Sequence, residues 1–321
     1  MLTAFSMSEN TVQEPTQKAQ WQKSKLFNTK ILAVPQKVED ILLSKKYGFE
    51  KSKFTTPDGL HLECLIRKVE NPACTIIISA GFCPGLMTGM ATLIKMLPKE
   101  FNIILYNGRG KGNSEGRRFP QLWNFGTHEY KDVIGALDYA KHINKETPTI
   151  VYGTCAGTFA NTKAICSLSD EDLKKYDIRA HIIDSAVVHL PTTIERIPEH
   201  FFDPKTWYGW CWTKFLWALR YTIFQPRFMT SGDAAELDPK ALAKTNIPTL
   251  HFDCKEGDRF TPYCATNDFY TEQLAAMNDD TSMCKKHTFE KSSHANHTLK
   301  HKTEYAFVLA SFMNEHLRSN L

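Results

Sequence analysis

No stretch of the 321 residues is apolar for long enough to cross a bilayer. Met1 to Lys18 lacks a basic start followed by an apolar block, so a secretory leader is not expected. Nine cysteines, spread from Cys64 to Cys284, include no C-x-x-C pair. That absence argues against a disulfide scaffold and against zinc held by closely spaced thiols, and it favours a reducing, cytoplasmic setting. Charge of one sign is lacking too. A net charge of +4 gives no ground for a nucleic-acid or membrane partner. There is no internal repeat.

What is present is ordinary for a soluble globular chain: 42% hydrophobic and 23% charged residues. Residues 1–25 read as a disordered tail, rich in Ser, Thr, Gln, Glu and Lys. Residues 26–321 are long enough for one α/β domain. A short helix is expected from Val38 to Ser44, stopped near Gly48. Phe49 to Phe54 and Leu60 to Arg67 read as antiparallel strands around the turn Thr56-Pro57-Asp58-Gly59. Apolar runs at residues 75–79, 102–106, 149–152, 180–183, 248–252 and 287–289 read as further strands. Helices are expected at 91–97, 130–143, 158–165 and 297–317. This alternation implies a mostly parallel, doubly wound sheet flanked by helices.

One segment breaks the alternation. Residues 188–235 hold Phe201, Phe202, Trp207, Tyr208, Trp210, Trp212, Phe215, Trp217, Tyr221 and Phe224 between two sheet strands. A helical lid inserted there would either pack these rings onto the body or use Trp207, Trp210 and Trp212 to line an apolar acyl pocket.

The chemistry is concentrated in Gly153-Thr154-Cys155-Ala156-Gly157, between an apolar strand and a helix. Strand, tight glycine-flanked turn and helix describe a nucleophile elbow, G-x-S-x-G, with sulfur in place of oxygen. Side chains at either flanking position would collide with the backbone, hence Gly153 and Gly157. The turn also sets Cys155 at a helix start, where the positive dipole end favours a thiolate. A cysteine after a strand can equally be a small buried residue. The remaining members of a triad decide between these.

Four segments together resemble the α/β-hydrolase superfamily from about Phe49 to the C-terminus. They are Ser79-Ala80-Gly81-Phe82, the Asn107–Ser114 turn, the elbow, and two downstream loops around Asp258 and His294. In that family the acid and then the histidine follow the nucleophile in chain order. The resemblance implies a triad of Cys155, His294 and Asp258, with the imidazole drawing the thiol proton and the acid fixing its tautomer. It further implies an oxyanion hole from the N–H groups of Phe82 and Ala156. Asp184 is the alternative acid, with Asp253 and Glu256 behind it. No cofactor is implied. The substrate class is an acyl ester or thioester, with coenzyme A and acyl-carrier-protein thioesters among the candidates, and acyl transfer is as natural as hydrolysis.

Other possibilities stand beside this one. The nucleophile resembles that of dienelactone hydrolases and cysteine-bearing thioesterases, and Thr75 to Phe82 resembles the acyl-transferase of bacterial luminescence. A lactonase with a small polar pocket is the rival enzyme, and a catalytically silent partner-binding hydrolase the rival outside enzymology. Glycines 108, 110, 112 and 116 do not follow the G-x-G-x-x-G spacing of a dinucleotide loop. The basic residues there, with Arg117 and Arg118, read as solvated surface or as a grip on an anionic substrate tail. His297 and His301, spaced i, i+4, read as solvated helix residues rather than metal ligands. Cys83 is a candidate to oxidise with Cys155. Two departures from the family pattern are Asn107 in place of the usual Asp, and Ala80 in place of a frequent His.

Overall fold

The computed structural model describes residues 41–81, 87–116, 128–189, 193, 206–219, 236–258 and 260–318. The tail 1–25, most of the expected lid, and Phe82, Cys83, Arg117 and Arg118 lie outside them. The expected first helix contributes only its end; Gly48 follows at φ +65°, a conformation glycine adopts without penalty.

Eight strands form one sheet in the order β1-β2-β4-β3-β5-β6-β7-β8. They are β1 (Phe49–Thr55), β2 (His61–Arg67), β3 (Cys74–Ser79), β4 (Phe101–Tyr106), β5 (Thr149–Thr154), β6 (Ile178–Asp184), β7 (Thr249–Glu256) and β8 (Cys284–Lys291). β1 pairs antiparallel with β2, and β2 antiparallel with β4. Every other pairing is parallel. The central strands are buried on both faces, which is why they read as apolar runs without alternation.

The helices are α1 (Met87–Met96), α2 (Tyr130–Ile143), α3 (Ala156–Ser167), α4 (Asp170–Tyr176), α5 (Trp207–Leu219), α6 (Pro239–Lys244), α7 (Tyr263–Ala276), α8 (His297–Lys300) and α9 (Lys302–Arg318). Successive strand residues point to opposite faces and so divide the core in two. Ile77 and Val151 join Val133, Leu137 and Phe159 of α2 and α3. Ile76, Ile78, Ile150 and Tyr152 join Leu93 of α1 and Tyr305 and Phe312 of α9 on the other side.

Three helices were not read from the sequence: α4, α6 and α7. The first two carry caps that were visible there. Ser169 Oγ accepts from Asp172 N at 3.1 Å, and Asp238 Oδ1 accepts from Lys240 N at 2.8 Å, with Pro239 opening α6. The expected single terminal helix is two, broken at His301 (φ −119°, ψ 44°). None of the described helices is long and apolar enough to cross a membrane.

Candidate active site

The parallel register carries the ends of three strands to one line. Gly153 lies opposite Ser79 on one side and Ile183 on the other, and Thr154 opposite Asp184. Cys155 follows at φ 54°, ψ −126°, a backbone conformation that costs a non-glycine residue of order 1–3 kcal/mol. The bend is held from both sides. Cys155 N donates to Asp184 O at 3.1 Å, and Thr158 N donates to Cys155 O at 2.9 Å. The flanking glycines meet the collisions that the sequence implies. A Cβ on Gly153 would lie 2.8 Å from Thr158 N, and one on Gly157 would lie 2.0 Å from Ser79 O. Ala156 opens α3, so its N–H belongs to the first-turn donors that have no acceptor within the helix.

Two loops from the far end of the chain converge on this bend. After β7, Gly257 turns at φ +100°; any Cβ there would stand 2.5 Å from Ser292 O, so the loop carrying Asp258 lies hard against the loop carrying His294. Ser292 N also donates to Glu256 O at 3.0 Å and lies 2.8 Å from Cys254 Sγ. Asp258 Oδ1 accepts from the amides of Phe260 and Thr261, both at 2.9 Å. Oδ2 accepts from Thr261 Oγ1 at 2.7 Å and lies 2.9 Å from His294 Nδ1. The carboxylate is therefore both a turn residue and the partner of the imidazole. Burial raises its pKa, but the His294 charge and these hydrogen bonds prevail and hold it at about 2.

The His294 side chain is 6% exposed, and its buried Nε2 makes no hydrogen bond to a described residue; besides Asp258, the charged group acting on the ring is Cys155. Desolvation pulls the imidazole pKa down. The charges of Cys155 and Asp258 and the bond to Asp258 outweigh it and raise the pKa well above the usual value. Of the three residues implied by the resemblance, Asp258 and His294 are joined at 2.9 Å, and Cys155 acts on the same imidazole through its charge.

Asp184, the alternative acid, is occupied elsewhere. Its Oδ2 accepts from Tyr152 OH (2.8 Å) and Tyr305 OH (2.9 Å), and its Oδ1 from Ser185 Oγ (3.1 Å). Ser185 Oγ in turn accepts from the amide of Ala295 at 2.9 Å, one residue past His294, and lies 3.1 Å from His297 Nε2. This network ties the histidine loop to the end of β6. His297 is fully buried and stacks on Phe289, with centroids 4.8 Å apart, which corrects its reading as a solvated residue. His301 stacks on the other side of Phe289 at 4.6 Å, and its Nε2 lies 3.1 Å from Lys291 O.

The glycine-rich turn is corrected in the same way. Arg109 is not a surface cation. It is buried, with Nε donating to Asp132 Oδ1 at 2.7 Å and its NH1 group to Asp58 Oδ2 at 2.9 Å. It clamps the β1–β2 turn to α2. Asn107 Nδ2 donates to Glu63 Oε2 at 3.1 Å, where an aspartate would set two carboxylates together; the departure from the family pattern has a local cause. Lys111 Nζ donates to Gly81 O at 3.2 Å, so the strand-end loop that lacks the frequent histidine is held from this turn instead. The tryptophans are also placed differently from the expectation. Trp207, Trp210 and Trp212 are 79%, 55% and 47% exposed, so they neither pack a core nor line an enclosed pocket.

Sequence reasoning singled out Cys155, His294 and Asp258 but not Thr261, Ser185, Tyr152 and Tyr305. Thr261 follows Asp258 in a D-x-x-T turn and was legible; the two tyrosines are 153 residues apart and were not.

The lowered pKa of Asp258 sets an acid prediction. Its contribution to stability is present above the ordinary value of 3.8 and is lost as pH falls through about 2. The stability gap between wild type and Asp258→Asn, measured by urea unfolding, is expected to narrow by about 2 kcal/mol between pH 4 and pH 2. A gap constant over that window contradicts the geometry.

No family model matches the sequence, and no curated protein matches it. Solved structures do. An esterase of Pyrococcus furiosus superposes with a TM-score of 0.62 at 15% identity, covering 84% of this chain and 91% of the other. An esterase of Exiguobacterium antarcticum gives 0.55 at 14% identity, over 83% and 100%. A lidless α/β serine hydrolase of Xanthomonas campestris gives 0.51 at 11%, over 85% and 97%. Identities this low speak for architecture alone, and that architecture is the α/β-hydrolase fold.

Proposed function

We propose that the protein is an acyl hydrolase or acyltransferase that opens an ester or thioester through Cys155. His294 takes the thiol proton, giving a thiolate–imidazolium pair, and Asp258 fixes the ring with its Nδ1 proton toward the carboxylate. The thiolate attacks the acyl carbon and the carbonyl electrons move to oxygen, which the Ala156 N–H receives. Collapse expels the alcohol or thiol with the proton from His294 and leaves a thioester on Cys155. Water, or an alcohol, amine or thiol acceptor, then gives its proton to His294 and bonds to the acyl carbon; collapse breaks the carbon–sulfur bond, releasing the acyl product and returning Cys155 as thiolate beside the imidazolium.

The single observation that carries this is the buried imidazole of His294, joined to Asp258 at 2.9 Å and acted on by the charge of Cys155. Support comes also from the strained φ of Cys155, since such strain persists only where the surroundings enforce it. The fold is shared with esterases, one of them from Pyrococcus furiosus, and such a fold hosts many chemistries, so the site rather than the fold bears the argument.

The test is a panel of p-nitrophenyl esters and acyl-coenzyme A thioesters of graded length, with product analysis in water and with added alcohol or thiol acceptors. Turnover of at least one series with a pre-steady-state burst is the expected result. Absence of turnover across the panel, with no acyl-enzyme by mass spectrometry, overturns it.

Ser185 gives a finer prediction. Ser185→Ala removes the acceptor of the Ala295 amide and loosens the loop that presents His294. A roughly ten- to hundredfold loss in kcat with KM little changed is expected, because misplacing a base costs rate rather than binding. An unchanged kcat would show that the loop is held without it.

A further inference from the structure

The exposed helix α5 has no part in the site above, and its composition asks for a partner. At about 100° per residue, Trp210, Lys214, Trp207, Ala218, Cys211, Phe215, Tyr208 and Trp212 follow one another around an arc of about 200°. All eight are exposed, while Gly209, on the opposite side, is buried. Trp207, Tyr208, Trp210, Trp212 and Phe215 are 79%, 51%, 55%, 47% and 54% exposed. Soluble proteins seldom leave a contiguous face of this kind to water. Lys214 is the only charge on the helix, its Nζ 5.9 Å from the centre of the Trp210 ring.

We infer that α5 is a docking face for an anionic phospholipid surface. Trp and Tyr are the residues that settle at the boundary of headgroup and hydrocarbon, because each joins an apolar ring to a polar edge. The electrostatics have the matching sign. The helix itself carries Lys214 and no Asp or Glu, and in sequence Lys205, Arg220 and Arg227 flank it inside Asp203 and Asp233. Cations beside an apolar face are drawn to anionic headgroups. A second copy of the chain is the poorer occupant: a two-fold contact would bring Lys214 toward its own equivalent with no acid on the helix to meet it. The helix is too short to span, so the chain lies on the surface. This inference stands whether or not Cys155 is the nucleophile.

The experiment is co-sedimentation of the full chain with vesicles of phosphatidylcholine alone and of phosphatidylcholine with a minority of phosphatidylglycerol, at low and high salt. Four of the six tryptophans lie in α5, so intrinsic fluorescence reports the same event. Binding to the anionic vesicles with a blue shift, weakened by salt, is expected. The triple variant Trp207→Ser/Trp210→Ser/Trp212→Ser is expected to lower partitioning roughly tenfold or more, and Lys214→Glu several-fold. Thermal melting shows that each variant is folded. Absence of binding by the wild type, equal binding to neutral and anionic vesicles, or binding retained by both variants overturns the proposal. So does a wild-type dimer that the triple variant dissociates without any vesicle binding, since the face then belongs to a second copy.

Discussion

Cys155→Ala is expected to lower kcat at least 10⁴-fold, about the loss that follows removal of a nucleophile that acts as one unit with its base. The variant keeps the elbow, since alanine is no larger than cysteine and the bend is held by backbone bonds from Cys155 N and Thr158 N. Its melting temperature should therefore stay close to that of the wild type while turnover disappears. Equal turnover by the two proteins rules out the proposed nucleophile. A companion measurement reads the ion pair directly. Cys155 is only 1% exposed, so its alkylation by iodoacetamide is slow, but on the proposed pairing with His294 its rate should persist at mildly acid pH, where ordinary thiols fall silent. Cys211 and Cys264, exposed and remote from such a pair in their elements, are the internal comparison. The imidazolium is fully charged below the ordinary value of 6.5 and stays so until pH rises through its raised pKa, so the advantage should fade only on the alkaline side.

Gly157→Ala should do the opposite, sparing the chemistry in principle and removing the fold that presents it. The added methyl would stand 2.0 Å from Ser79 O and 2.6 Å from Ser79 C, both backbone atoms of the central sheet. Nothing flexible is there to yield, so α3 and β3 must part. A cost of at least about 4 kcal/mol is expected, which puts the substitution among the exceptional ones. For a chain of this size that is a fall in melting temperature of roughly 8 °C or more. Gly108→Ala is the control, because its methyl would meet only Asp132 Oδ2, at 3.4 Å. If the two variants melt alike, the close approach of α3 to β3 is not as described.

Much of this was legible because the signals were local. The strands flanking Thr56–Gly59, the apolar runs of the parallel sheet and the elbow all state their structure within a dozen residues. Asp258 and His294 were legible only through chain order, and each then proved to sit behind a local device, a glycine at φ +100° and a backbone bond from Ala295. What the sequence hid was pairing at a distance. Arg109 looked solvated because its partners, Asp58 and Asp132, lie 51 and 23 residues away. His297 looked exposed because its neighbour Ser185 lies 112 residues earlier. The tryptophans misled for another reason: apolar side chains are read as buried unless something outside the chain takes the place of a core.

The place of β8 at the rim of the sheet has a consequence for biosynthesis. Among the described strands β8 pairs with β7 alone, and His294 follows it, 139 positions downstream of Cys155. On the proposed mechanism, a nascent chain that has formed the bend at Cys155 before β8 docks carries a thiol without its imidazole. Nucleophilic character at Cys155, on that mechanism, waits for the docking of β8.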